Sequence, residues 1–517
     1  MAEARETRSA SVGISGVSDG TGFSLLKRMP LALLAGAVFP LGLSPYEVWP
    51  CILISVAGLF WLIQGTERRN MILIHYAFGT GFYGVGVSWV YFSIHDFGGA
   101  SPLLAGLLVL LFVLALALVF ALQGWLLSFL GRRWLWLSFA CLWFAREWFV
   151  SWFLTGFPWL YAGYGMIDTW YAALAPLTGV LMLGFIVVVL AVQIVLMLQA
   201  AWLRSVPGLV LPLVLIGTVT AMSFGLQFYS PVSDTGRVLT VSLVQGNVDQ
   251  ATKWSRAMVR PILNRYLGLS ETEWGRDLIV WPEAAVTVFR EQAGGFLGPV
   301  GERATAAGSA LLLGIPDRDA EGHFLNSATV AGNGSGTYHK RRLVPFGEYV
   351  PLESLLRGVI QFFDLPMSHN VAGPAGQAPL FVGELPLSLS ICYEVVYPDL
   401  VRATVADPAL FVTISNDTWF GTSIGPWQHL QMARMRALEN GRYMVRATNN
   451  GVTAVIDDRG RIQAQLPQFE PGVLRGEVRV MEGTTLYNRT GQLPWLILIA
   501  GMILLIGYRG RARQDRR

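Results

Sequence analysis

Three side chains with complementary chemistry stand at the ends of short apolar runs. Cys392 follows Leu387-Ser388-Leu389-Ser390-Ile391, a strand-like run, and precedes Tyr393 and Glu394. The other two cysteines, Cys51 and Cys141, fall in long apolar segments, where a thiol packs as a small hydrophobe. Three cysteines do not make a disulfide framework. A lone thiol in an oxidising compartment is a liability unless it is buried or used. With an unperturbed pKa of about 8.5, a nucleophilic thiol needs a base or a positive neighbour. Glu283 supplies a carboxylate just past the run Leu278-Ile279-Val280-Trp281, where Pro282 ends the ladder and lets the side chain project from the sheet edge. Lys340 sits in the basic cluster His339-Lys340-Arg341-Arg342, ahead of the turn Pro345-Phe346-Gly347 and a second carboxylate, Glu348. Taken singly, the segments around Glu283 and Lys340 also read as solvated faces. The usual partner of a thiol is histidine, but none of the six (His75, His95, His323, His339, His369, His429) is tied to Cys392 by sequence context, so no Cys–His pair is expected.

Two other patterns carry less. Gly421-Thr422-Ser423-Ile424-Gly425 fits the G-x-S-x-G elbow of serine hydrolases, but the last histidine, His429, follows too closely to complete that triad. Gly79-Thr80-Gly81-Phe82-Tyr83-Gly84 fits G-x-G-x-x-G, yet it lies in an apolar segment without a βαβ context, where glycines serve close helix packing.

The elements that must hold these groups are of two kinds. Apolar residues make up 53% of the 517-residue chain and charged residues 14%, a bias that excludes a set of ordinary soluble domains. The excess is confined to Pro30–Phe228 and Leu493–Ile506. About twenty apolar residues cross a bilayer, which predicts about eight spans near 30–44, 47–64, 71–93, 102–129, 134–153, 172–201, 207–226 and 492–508. Lys27, Arg28, Arg68, Arg69, Arg132, Arg133, Arg204 and the tail Arg509, Arg511, Arg513, Arg516 and Arg517 all fall on one side if the N-terminus is cytoplasmic. The expected organisation is a cytoplasmic segment over 1–29, a seven-helix membrane part over 30–228, a water-facing insert over 229–491 outside the cytoplasm, a last span over 492–508 and a basic cytoplasmic tail over 509–517. The net charge of +4 is then a topology signal and no nucleic-acid footprint. The first twenty or so residues are small and polar and are expected to be poorly ordered.

Within the insert, Val238–Leu243, Asp277–Trp281, Ala310–Gly314, Ser327–Val330, Leu387–Cys392 and Leu410–Ser415 read as strands, and Gln428–Tyr443 as an amphipathic helix. Strands alternating with helices predict layered α/β packing.

Together, W-P-E at Glu283, Y-H-K-x-x-L-V-P-F-G-E-Y around Lys340 and Glu348, and C-Y-E at Cys392 resemble the nitrilase (carbon–nitrogen hydrolase) superfamily. With the membrane spans, Ser88-Trp89-Val90-Tyr91-Phe92-Ser93-Ile94, Gly156-Phe157-Pro158-Trp159, Gln245-Gly246-Asn247 and Trp254, the chain is similar to the apolipoprotein N-acyltransferase family. The resemblance implies an α-helical membrane bundle carrying an inserted αββα sandwich. It also implies a two-step transfer of the sn-1 acyl chain of a membrane phospholipid, with phosphatidylethanolamine the expected donor. The acyl group passes through a Cys392 thioester to the N-terminal diacylglyceryl-cysteine of an apolipoprotein. In that scheme Glu283 is the general base, Lys340 and the Tyr393 N–H meet the oxyanion, Glu348 positions Lys340, and Tyr393 and Glu394 line the site. The implied location is the bacterial inner membrane with the insert in the periplasm.

Two residues stay open. Trp254 reads as an acyl-chain wall, a mobile gate or an interfacial anchor. Arg146, beside Glu147 in the fifth predicted span, reads as a headgroup ligand or as half of a structural pair. No cofactor and no metal site are expected. The alternatives are a membrane-anchored amidase acting on a small amide, which leaves the seven preceding spans without a purpose, and a transporter or structural membrane protein with an inactive insert, which the scarcity of charge in the spans disfavours.

Overall fold

The computed structural model describes residues 24–349 and 370–514. The predicted N-terminal disorder, His369 and the last three residues lie outside the described residues.

Every predicted span coincides with a helix: α1 Leu25–Val38, α2 Pro50–Ile63, α3 Arg68–Gly86, α4 Pro102–Leu127, α5 Leu135–Val150, α6 Ala175–Trp202, α7 Val206–Leu226, and a C-terminal helix, Leu493–Gln514. Among the described residues, four stretches are long and apolar enough to cross a bilayer as they stand, and a fifth qualifies if α3 is joined to Val90–Phe97, from which it bends by 64°. The glycines of the G-x-G-x-x-G pattern act in packing. A Cβ at Gly81 would lie 1.9 Å from the Leu33 carbonyl oxygen of α1, and one at Gly79 would lie 2.8 Å from the Phe120 ring of α4. Only bare backbone permits that approach.

Two sheets follow. The six-stranded sheet has the order β13-β1-β2-β3-β4-β6, with β1 Val232–Gln245, β2 Leu278–Val280, β3 Ala310–Arg318, β4 Phe324–Gly332, β6 Thr337–His339 and β13 Gly472–Gly483. The seven-stranded sheet has the order β12-β11-β10-β9-β8-β7-β5, with β5 Gly334–Ser335, β7 Leu380–Val382, β8 Leu385–Ile391, β9 Leu410–Ser415, β10 Met444–Thr448, β11 Ala454–Ile456 and β12 Ile462–Gln465. The central strands β1, β2 and β3 run parallel, as do β8, β9 and β10. Strands buried on both faces read as continuous apolar runs, which is why these were legible.

Leu243, Val280 and Leu312 of the first sheet meet Leu389, Val412 and Val445 of the second in one core. On the outer face of the first sheet, α8 (Val259–Ser270) and α9 (Gly294–Ala306) pack through Tyr266 and Val300 against Trp281 and Leu313. The outer face of the second sheet is covered by α10 (Gly425–Asn440). Here the structure corrects the expected amphipathic helix over Gln428–Tyr443. The helix is buried along nearly its whole length because its far side meets the apolar helices, so Met432 and Met435 share one core with Phe78, Trp143 and Leu183. It also stops at Asn440, where Gly441 takes the left-handed conformation (φ +62°), and the chain enters β10.

Candidate functional site

β8 ends at Ile391, and Cys392 begins a single 3-10 turn in the left-handed region at φ +53°. That conformation is strained for a residue with a side chain. The turn is gripped by Glu394, whose Oε2 accepts the Ile391 N–H at 2.8 Å while Oε1 accepts the Arg341 N–H at 2.7 Å and the Tyr338 hydroxyl at 3.0 Å. Glu394 is fully buried. It ties the Cys392 turn to the segment bearing Lys340.

Glu283 lies past the end of β2, two positions beyond Trp281, and the next residue, Ala284, is left-handed (φ +49°). Its Oε2 accepts the Asn416 N–H at 2.8 Å, and its Oε1 accepts the Asn326 side-chain amide at 2.7 Å. Lys340 Nζ is 3.4 Å from Glu283 and 2.9 Å from Glu348. Asn326 also donates to Glu348 at 2.9 Å, and the other Glu348 oxygen accepts the Val344 N–H. Burial alone would lower the Lys340 pKa, but Glu348 and Glu283 outweigh it and hold the ammonium charged. The Cys392 thiol is pushed up to about 12, first by burial and then by the Glu283 charge, against the opposing pull of Lys340. The resting nucleophile is thus a neutral thiol set beside a carboxylate and a permanent cation. That arrangement suits proton transfer on demand and stabilisation of an anion formed nearby.

Tyr393 is buried and its hydroxyl donates to the Gly156 carbonyl at 3.1 Å. Trp254 is 45% exposed. Its neighbour Lys253 is fully buried and donates to the Glu283 backbone carbonyl at 3.2 Å. Arg146 is sealed among rings, with its guanidinium 3.9 Å from the centre of Phe120, 4.6 Å from that of Trp143 and 3.7 Å from Glu147. Of the two roles open for Arg146, this enclosure fits the structural pair. Ser423 donates to the Phe420 carbonyl, which leaves the G-x-S-x-G match a turn.

Sequence reasoning missed several groups. Lys253, Asn326 and Asn416 contact Glu283 through single hydrogen bonds that leave no pattern in sequence. His429 was set apart from Cys392, yet its Nε2 lies 3.1 Å from the Cys392 carbonyl oxygen. It approaches the backbone and not the thiol, so the expectation of no Cys–His proton pair stands beside an unforeseen contact. Trp159 stacks on both His429 and Tyr393, and Trp89 packs on Trp159. The S-W and F-P-W segments of the membrane part thus form an aromatic floor beneath the nucleophile turn. Elsewhere, Asp319, Glu321 and His323 bring ligand atoms within 4.8 Å of one another on the β3–β4 turn, half-exposed or exposed.

Two family models match the chain: apolipoprotein N-acyltransferase N-terminal domain over residues 35–193 and carbon-nitrogen hydrolase over 240–485. An apolipoprotein N-acyltransferase of Pseudomonas paraeruginosa is 46% identical over 93% of this chain and 95% of its own length. The chain belongs to the apolipoprotein N-acyltransferase family. Relatives bearing the same name in Azotobacter vinelandii (46% identical, 92% of this chain, 94% of their own) and Vibrio cholerae (39%, 92% and 96%) extend the match. The match takes in both the apolar helices and the sandwich.

Proposed function

We propose that the chain transfers the sn-1 acyl group of a membrane phospholipid, with phosphatidylethanolamine the favoured donor, to the free α-amino group of a diacylglyceryl-cysteine at the N-terminus of an apolipoprotein. Membership of the family makes it an acyltransferase of lipoprotein maturation; the residue roles and substrate details are this reading's own. Glu283 takes the proton from Cys392 as Sγ attacks the ester carbonyl carbon. Lys340 and the Tyr393 N–H receive the oxyanion, and loss of one such donor typically raises the barrier by about 2.7–4 kcal/mol. Collapse breaks the ester C–O bond, Glu283 returns its proton to the departing lysophospholipid, and a thioester remains on Cys392. The amine attacks that thioester, Glu283 removes its proton, and the C–S bond breaks to regenerate the thiol. The two halves predict ping-pong kinetics.

The observation that carries this reading is the contact of the nucleophile turn with the membrane part, through Tyr393 on Gly156 and Trp159. A small-amide hydrolase has no use for such a floor, whereas a lipid donor arriving sideways does, and apolar walls keep water from the thioester. In this assignment eight spans cross the inner membrane. Residues 30–228 form the membrane part, 229–491 the periplasmic catalytic part, and both termini are cytoplasmic, as the arginine and lysine distribution supports.

The test uses purified enzyme, phospholipid labelled in either the sn-1 or the sn-2 chain, and a synthetic diacylglyceryl-cysteine peptide. The sn-1 label alone is expected on the peptide amine. Label released only as free fatty acid, or ammonia released from small amides at a higher rate, would overturn the reading in favour of a hydrolase.

A further inference from the structure

Behind Cys392 lies a buried assembly with no part in the scheme above. His429, Asp417 and Arg446 are at most 2% exposed. Arg446 Nη2 donates to Asp417 Oδ2 at 2.6 Å and lies 3.0 Å from His429 Nδ1, which is 3.2 Å from Asp417 Oδ1. Ser415 donates to the same Asp417 oxygen at 2.7 Å. Gly451 makes room for this cluster, because a Cβ there would lie 2.2 Å from Asp417 Oδ2.

The Cys392 carbonyl fixes one end of the imidazole. A carbonyl oxygen only accepts, so Nε2 beside it carries a ring proton, while Nδ1 lies between the Arg446 donor and the Asp417 acceptor. Burial, and then Arg446, hold His429 below the usual imidazole range, in keeping with a neutral ring. Nε2–H therefore donates to the Cys392 carbonyl oxygen at 3.1 Å. That carbonyl belongs to the same planar peptide unit as the Tyr393 N–H, and in a trans peptide the two point in opposite directions. Whatever fixes the carbonyl aims the N–H. A donor on the carbonyl also polarises the amide and strengthens its N–H as a donor.

We propose that His429, oriented by Asp417 and Arg446, is a positioning residue for acyl transfer. Its Nε2–H locks the Cys392–Tyr393 peptide so that the strained nucleophile holds its place and the Tyr393 N–H faces the oxyanion. The aromatic floor takes part, because Trp159 stacks on the His429 ring and joins α10 by donating from Nε1 to Gln428 at 2.7 Å. The inference rests on Cys392 being the acylated nucleophile.

Two variants separate the Nε2 bond from packing. His429→Gln places an amide N–H at the reach of Nε2, while His429→Asn places its amide at the reach of Nδ1, where its carbonyl can meet Arg446 but its N–H falls short of the Cys392 carbonyl. The readout is the rate of acyl-adduct formation on Cys392 in the full-length protein in detergent, followed by quenched intact-mass measurement over a range of phospholipid concentrations. His429→Asn is expected to lower the maximal acylation rate about a hundredfold, the scale of a misplaced reacting group. Its half-saturating phospholipid concentration should stay within about twofold of wild type, and His429→Gln should recover the rate to within about tenfold. Equal rates for His429→Asn and wild type, equal losses in both variants, or a loss expressed only in half-saturation would overturn the inference. If wild type forms no adduct on Cys392, the underlying reading fails instead, so the two failures are told apart by the wild-type control.

Discussion

At the scale of single residues, the site works through opposed charges around a neutral thiol. Because burial and Glu283 raise the Cys392 pKa, the thiolate is scarce at neutral pH and appears only as pH rises. Alkylation of Cys392 by iodoacetamide should therefore climb steeply between pH 7 and the ordinary thiol value of about 8.5 and keep rising beyond it; a plateau below that value would show a preformed thiolate. Glu283→Gln has two effects of opposite sign. Removing the carboxylate relieves its repulsion of the thiolate, so alkylation should shift to lower pH, while acyl transfer should fall about 10²–10⁴-fold for want of a base. A variant that loses both reactivities together would contradict the assignment of Glu283. Much of this chemistry was legible in sequence because each group sits beside a local signal: Pro282 before Glu283, the turn after Lys340, the strand before Cys392. His429 was not, since its bond is to a backbone carbonyl 37 positions away and depends on Asp417, just past the end of β9, and Arg446, from the middle of β10.

At the scale of elements, α10 is the joint between the two halves. Its Glu439 and Arg436 are fully buried and paired at 2.8 Å, and Glu439 Oε1 also accepts the Val180 N–H, next to the left-handed Gly179 at the kink in α6. Burial pushes Glu439 up to about 7, against the pull of Arg436. Glu439→Leu leaves Arg436 buried without its carboxylate and should destabilise the protein by about 3–5 kcal/mol, read as a lower thermal midpoint in detergent. An unchanged midpoint would contradict the role of this pair. Periodicity suggested an amphipathic helix here because the polar residues Gln428, His429, Gln431 and Arg434 look solvent-facing. They instead make buried or partly buried hydrogen bonds to Trp159, Cys392, Ser44 and Asp168. A sequence cannot distinguish polar residues that meet water from those that meet the partners of a second layer. β10, which begins at Met444 directly after the stretch read as helix, was not expected from the sequence.

At the scale of the whole molecule, the outer helical layer of the second sheet shares its core with the membrane helices, so the sandwich is incomplete without them. Residues 229–491 expressed alone should expose Met432, Met435 and the seat of Trp159, and should aggregate; a soluble, cooperatively folding monomer would contradict the shared core. The layered α/β class and the apolar helices were readable from composition and runs, but their fusion through Trp89, Trp159 and α10 was not, because it joins segments far apart in the chain. This fusion sets the acyl chemistry against lipid, and the account stands on the thioester that follows from it. The most direct measurement is the intact mass of the full-length enzyme incubated with phospholipid and no acceptor. The account predicts one added acyl group, mapped to Cys392, absent in Cys392→Ala and discharged on adding a diacylglyceryl-cysteine peptide. Transfer to the peptide with Cys392 never acylated, or an acyl group mapped to another residue, would contradict it.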